Sequence, residues 1–423
     1  MKRQDVAFYT RTDAAAVSRH CISRRDFIGQ GIGLLAAAGT VPAFLGSTCL
    51  ALGGGGNSNR VLVVIQLSGG NDGLNTVVPF SDDAYYRARP RIAIPPQDVL
   101  RLTDDIGLHP DLQPLQRLYD RGELTVVQGV GYPNPDRSHF RSMEIWHTAV
   151  ADGFSSSGWL GRLFDHTCGN QHLSETCSPT LGITVDKALS PAFTGASSVG
   201  IALNDAERFY RMTRLQARST AKSAPVDGGG SQLDFLRRTA LNAELAAADI
   251  RDAVRSAKST IDYPQNAFGR SLQLIAGMIA GGLDTRVYYT SLSGFDTHAN
   301  QPAQHGRLLK TLASGIEAFT RDLRASGQLN RVLGVTFSEF GRRLAENGSN
   351  GTDHGKAAPL FMFGNAVRPG VVGEHPSLTE LSRGDLQFHT DFRRVYATVI
   401  DNWLGVDAAA VLANRYATLP LLG

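Results

Sequence analysis

Arg60–Pro79 reads RVLVVIQLSGGNDGLNTVVP, and its reading decides the fold. Val61–Ile65 and Leu67 form an aliphatic run interrupted by Gln66 alone. A short apolar run bounded by glycine describes a strand buried on both faces. It ends in Ser68-Gly69-Gly70-Asn71-Asp72-Gly73, which is glycine-rich and carries one carboxylate. In open α/β sheets the chemistry collects just beyond the carboxyl ends of strands, where loops converge. Asp72 stands at such a place. A local Asx turn is the competing reading, and three later strand-like runs that also end in acids or histidines favour a shared site.

Those runs alternate with helical segments. Leu124–Val130 is strand-like and exits through Gly131-Tyr132-Pro133-Asn134-Pro135-Asp136-Arg137-Ser138-His139-Phe140 into a helix around 141–149. Val287–Leu292 ends in Ser293-Gly294-Phe295-Asp296-Thr297-His298, and Arg331–Phe337 ends in Ser338-Glu339-Phe340-Gly341. A polar loop, Arg342–Lys356, holds Asp353-His354, and Pro359–Phe363 reads as a last buried strand. Asp391 has the character of an N-cap for a final helix over 392–404. Strands alternating with helices predict an α/β fold with a central, mostly parallel sheet flanked by helices. One domain over 60–423 is expected, with an insertion or cap at about 150–270, where loops on a rigid scaffold would meet a substrate.

The 423 residues are 42% hydrophobic and 19% charged, an ordinary globular balance. The net charge of +3 arises in residues 1–52, which hold six of the 42 basic and three of the 39 acidic residues. The remainder carries equal numbers of each sign, so charge gives no case for nucleic acid.

At the N-terminus, Ser23-Arg24-Arg25-Asp26-Phe27-Ile28 precedes an uncharged, glycine-diluted stretch to Leu52. This resembles a twin-arginine signal, which implies the Tat translocation machinery as partner and a periplasmic or secreted destination. An N-terminal membrane anchor is the alternative. Residues 53–59 read as a glycine-rich linker. Of the four cysteines, Cys168 and Cys177 lie outside the signal region. An isolated pair this close in an oxidising compartment reads as a disulfide; His166 and His172 nearby keep zinc as the alternative.

The strand ends together offer Asp72, Asp296 with His298, Glu339, and Asp353 with His354, with Ser138 and His139 on the second strand's exit. Carboxylates mixed with imidazoles suit Zn, Mn or another divalent transition ion. Two such ions would steady both the attacking and the leaving oxygen of an in-line displacement.

The stretches quoted above, with Thr352-Asp353-His354-Gly355 and Thr390-Asp391-Phe392-Arg393-Arg394-Val395-Tyr396, resemble the exported family catalogued as domain of unknown function 1501. That family is a distant branch of the alkaline phosphatase and sulfatase superfamily. The resemblance implies an alkaline-phosphatase-like sandwich and a metal-dependent hydrolase of phosphate or sulfate esters. The rival is a non-catalytic envelope binding or scaffold protein that retains a degenerate site. It also implies metal ligands at Asp72, Asp296 and His354. The chain departs from the superfamily pattern where Asn300 and Phe340 replace histidines; His298, Glu339 and Asp353 are the substitutes at hand. The superfamily nucleophile would fall on Pro133 or Gly131, neither of which can attack. Ser138, at the expected helix start, is the remaining catalytic candidate, or else a simple N-cap. Arg137, Arg342 and Lys356 are the candidates for holding an anionic ester.

Overall fold

A computed structural model describes residues 59–168, 178, 180–196, 200–222 and 232–423. The expected signal region, the linker up to residue 58, and Cys177 and His172 lie outside the described residues. Cys168 is disulfide-bonded. No described helix is long and apolar enough to cross a membrane.

The strands, in chain order, are β1 (Val61–Ser68), β2 (Val77–Val78), β3 (Leu100–Arg101), β4 (Gly107–Leu108), β5 (Leu124–Gly131), β6 (Gly182–Val185) and β7 (Ile201–Leu203). They continue with β8 (Val287–Ser293), β9 (Val332–Ser338), β10 (Arg342–Glu346), β11 (Thr352–His354), β12 (Ala358–Phe363), β13 (Gly370–Val372) and β14 (Thr390–Asp391). Nine of them form the central sheet, in the order β13-β5-β12-β9-β1-β8-β6-β7, with β14 beside β5. All its pairings are parallel except those of β12, which runs antiparallel between β5 and β9. The expected α/β class with a mostly parallel sheet is therefore the class observed. The lone reversal was not legible, because a buried apolar run has no direction written in it.

β1 lies between β8 and β9, and its side chains alternate between two cores. Val61, Val63, Ile65 and Leu67 enter one, against the helices Ala267–Ala280 and Gln301–Ala325. Leu62 and Val64 enter the other, with Trp146 of the helix His139–Thr148 and Val395 of the helix Phe392–Thr398. The period of two distributes an unbroken apolar run over both faces, which makes this layered sandwich. Asp391 caps the helix Phe392–Thr398 as expected, accepting from the Arg393 amide; a further short helix, Ala408–Leu412, follows it.

Two segments differ from expectation. Within the span expected as an insertion or cap, β6 and β7 are strands of the sheet itself. The polar loop 342–356 is a hairpin of β10 and β11, with Arg342 paired to His354 across it. A stretch rich in charge and glycine reads as solvent-exposed, yet Arg342 is fully buried because the backbone around it satisfies its donors.

Candidate metal centre

Because β12 is antiparallel to both β5 and β9, the carboxyl ends of β5, β9, β1 and β8 share one edge of the sheet. Gly69 and Gly70 draw that edge together. A Cβ on Gly69 (φ +121°) would stand 2.3 Å from the Asp296 nitrogen, and one on Gly70 (φ +76°) would stand 2.3 Å from the Phe340 ring. Only glycine allows both the positive φ and the close approach.

Asp296, beyond β8, is where the site converges. Its Oδ1 lies 3.0 Å from His298 Nε2 and 3.1 Å from His354 Nε2, and those two nitrogens are 2.9 Å apart. Its Oδ2 lies 3.6 Å from His139 Nε2. Donor atoms of His139, Asp296 and His354 all fall within 4.8 Å of one another.

The other ring nitrogen of each histidine faces an oxygen that can only accept. His354 Nδ1 is 2.8 Å from the Arg137 carbonyl, His139 Nδ1 is 2.9 Å from Glu339 Oε1, and His298 Nδ1 is 3.5 Å from Asp353 Oδ1. An acceptor behind Nδ1 holds each ring so that its Nε2 faces Asp296. The two Nε2 atoms at 2.9 Å are close enough to share either a proton or a cation. Nitrogen and oxygen donors sharing one zinc-sized ion stand about 3 Å apart, so the donor set fits such an ion.

The anionic member is fixed as well. Burial works against its charge, but hydrogen bonds from Arg342 and His354 hold the Asp296 carboxyl down at about 2. Asp353 is also held below its ordinary value, chiefly by the Asn347 amide.

The other expected site residues are placed differently. Asp72 is corrected as a metal ligand. It is fully buried, its Oδ1 caps Asn75, and its Oδ2 takes the Arg89 guanidinium at 2.6 Å together with the Gln301 amide. Burial opposes its ionisation, but Arg89 keeps its carboxyl below the usual range. Arg342 is corrected as an anion-binding group. Its side chain is fully buried and donates to the carbonyls of Gly69, Gly70, Phe295 and Thr352 as well as to Asp296. Glu339 stands behind His139, accepting from the Gly69 amide at 2.8 Å. Asp353 stands behind His298.

Arg137 and Lys356 do gather, but around Asp385. Arg137, Arg343 and Lys356 approach this fully buried carboxylate at 3.6, 3.4 and 3.9 Å. Lys356 also bonds Ser382. Ser138 holds the N-cap position of the helix His139–Thr148 without a side-chain cap bond. Among the described residues, no Ser or Thr hydroxyl bonds to His139, His298 or His354.

His139 enters the cluster although the sequence marks it only as a strand-exit residue. The helix begins at 139 rather than 141, so the first residue of its first turn faces the Asp296 loop. The signal available was its position directly after Ser138 at a strand exit that ends in a helix start.

Two further histidines are buried neutral. Burial pushes His147 down to about 4 and His305 to about 3, both from an ordinary value of 6.5. Their charged forms are favoured only in the unfolded chain. Stability is therefore complete above pH 6.5 and declines as pH falls toward those lowered values, by up to about 1.4 kcal/mol per pH unit for each histidine. Urea midpoints are expected to drop between pH 6.5 and 4.5, and His305→Gln should flatten that decline. An unchanged slope in this variant would contradict the assignment.

Residues 59–415 match the family model described as a protein of unknown function, DUF1501. The chain belongs to that family. No curated protein matches it. Among solved structures, it is similar to the PsFucS1 sulfatase from Pseudoalteromonas sp., with 12% identity, 85% of this chain and 70% of that one covered, and a TM-score of 0.36. A protein in the alkaline phosphatase superfamily from Vibrio parahaemolyticus shows 8% identity, coverage of 75% and 63%, and a TM-score of 0.33. Alkaline phosphatase from the Antarctic bacterium TAB5 shows 9% identity, coverage of 73% and 92%, and a TM-score of 0.30. Likenesses this distant decide no activity.

Proposed function

We propose that the chain is a metal-dependent hydrolase of phosphate or sulfate esters, with His139, Asp296, His298 and His354 as the ligand set. One observation carries the reading: the Nε2 atoms of three imidazoles gather within 3.6 Å of one carboxylate, while an oxygen acceptor stands behind each Nδ1. Such outer acceptors orient ligand histidines and raise their basicity. Imidazole-rich sites suit Zn, and the carboxylate admits Mn. A divalent ion held by these residues would supply Lewis acidity for the ester and lower the pKa of its bound water.

The chain's own residues do the rest. Glu339, Asp353 and the Arg137 carbonyl fix the rings, and Arg342 fixes Asp296. Arg137, Arg343 and Lys356 exceed Asp385 by two charges and draw an anionic ester toward this face. Water adds at phosphorus or sulfur, the bond to the ester oxygen breaks, and the departing alcohol takes up a proton. That no described Ser or Thr hydroxyl bonds a histidine of the cluster supports water rather than Ser138 as the nucleophile. The same absence also favours the second reading, a binding protein that holds an ion without turnover. An N-terminal twin-arginine signal and export through the Tat machinery belong to this proposal too.

Phenyl phosphate and phenyl sulfate turnover separates the two. Hydrolysis by the Zn- or Mn-loaded protein should be lost on chelation and retained in Ser138→Ala. Bound metal without turnover of either ester would favour the binding protein, and loss of activity in Ser138→Ala would restore the serine as nucleophile.

A further inference from the structure

A cavity of about 610 Å³ opens directly beside the ligand cluster, and its lining includes His139 and the Glu339 that stands behind it. Its volume lies in the range of small-molecule sites. The helix His139–Thr148 forms one wall. His139, Met143 and His147 follow at intervals of four residues, as do Phe140, Glu144 and Thr148, so two adjacent rows of one helix face the cavity. From His139 to His147 that wall runs roughly 12 Å.

The opposite side comes from Ser155–Gly158, Pro191 and Thr194. This side is held in place. Arg141 donates to the carbonyls of Ala151 and Gly153 at 3.1 and 2.5 Å, and its guanidinium lies 4.6 Å over the Phe154 ring. The chemistry of the lining is one-sided. Among the described residues it includes two carboxylates, Glu339 and Glu144, the latter paired to Arg141 at 2.9 Å behind the wall, and no lysine or arginine. Phe140 leaves 91% of its surface exposed at this site. Phe140 and Met143 together give the cavity wall an apolar surface for a ligand to cover.

We propose that this cavity seats the uncharged organic half of the substrate, an alcohol with an apolar or aromatic face against Phe140 and Met143. The inference rests on the hydrolase reading for the word substrate; as a binding site for neutral ligands it stands on the cavity alone. It narrows the substrates to esters whose single anionic group lies at the metal, because a further anionic group in the cavity would face Glu339, and Glu144 whose partner Arg141 it would have to share. Nucleotides and multiply sulfated chains are disfavoured on that ground.

Binding of β-naphthol, followed by its fluorescence, tests this without turnover, with its disulfonated analogue as the charged counterpart. Wild type should bind β-naphthol at least about tenfold more tightly than the analogue. The double variant Phe140→Ala/Met143→Ala should lose about tenfold in β-naphthol affinity, the scale of one lost aromatic contact with its buried area. His354→Ala should lose metal yet bind β-naphthol within about twofold, since the cavity wall is intact. No binding by wild type, equal binding of the charged analogue, or an undiminished double variant would overturn the proposal. The first two outcomes do not depend on any variant folding. β-Naphthol binding in the expected pattern, without hydrolysis of any naphthyl ester, would sustain the cavity assignment and remove only the hydrolase reading.

Discussion

Alanine at position 354 is expected to lower affinity for Zn or Mn by more than about a hundredfold, and alanine at 296 to do the same. Each substitution removes one of a small set of donors, and losing even an outer partner of a ligand costs ten- to a hundredfold. The effects should be graded. Glu339→Gln keeps His139 in place but weakens the acceptor that fixes its tautomer, so the loss should lie within that ten- to hundredfold range. Asp72→Asn should leave metal affinity nearly unchanged, because its carboxylate belongs to Arg89. Competition against a chelating dye, with elemental mass spectrometry for stoichiometry, measures all four. Metal lost in Asp72→Asn and retained in His354→Ala would invert the assignment and return Asp72 to the ligand set.

The second large effect concerns Arg342. Replacement by methionine is expected to cost about 3–5 kcal/mol of stability, the scale of breaking a buried ionic group from its partners. Four carbonyls, those of Gly69, Gly70, Phe295 and Thr352, would lose a donor at once, and Asp296 would lose its buried counter-charge. Lysine should not rescue it, since three donors on a flexible stem cannot serve five acceptors arranged around a planar fork. Urea denaturation gives the number, and metal affinity should fall in parallel. Unchanged stability with a raised KM for an ester would mean that Arg342 binds substrate after all.

The sequence shows the scaffold of this site more clearly than its occupants. β1 was legible because six aliphatic residues in a run of seven can only be buried on both faces, and glycines at 69 and 70 marked the loop crossing. Asp296, His298, Glu339 and His354 were legible as strand-end acids and imidazoles. What the sequence could not show was pairing. Asp72 has the same local signature as Asp296, and only the fold places Arg89, 17 residues on, against its carboxylate. Arg342 reads as surface charge for the same reason, because the carbonyls that bury it come from three other segments. His139 differs from an ordinary loop histidine only by the helix start at its own position. The direction of β12 was beyond reach, since its neighbours, not its residues, decide it.

The ligand set also has a history within each molecule. His139 and Glu339 meet across 200 residues of chain, and His354 comes later still. Contacts so distant in sequence close late, after the entropy of a long loop has been overcome. On the proposed assignment, an emerging polypeptide has no place to hold an ion until the hairpin of β10 and β11 has been made and docked. An ion bound there would tie the first half of the chain to the last and would stabilise the folded state by an amount that grows with the logarithm of its excess over its dissociation constant. Loading thus becomes a late checkpoint on assembly, and chelation should speed the loss of the whole fold rather than of one loop.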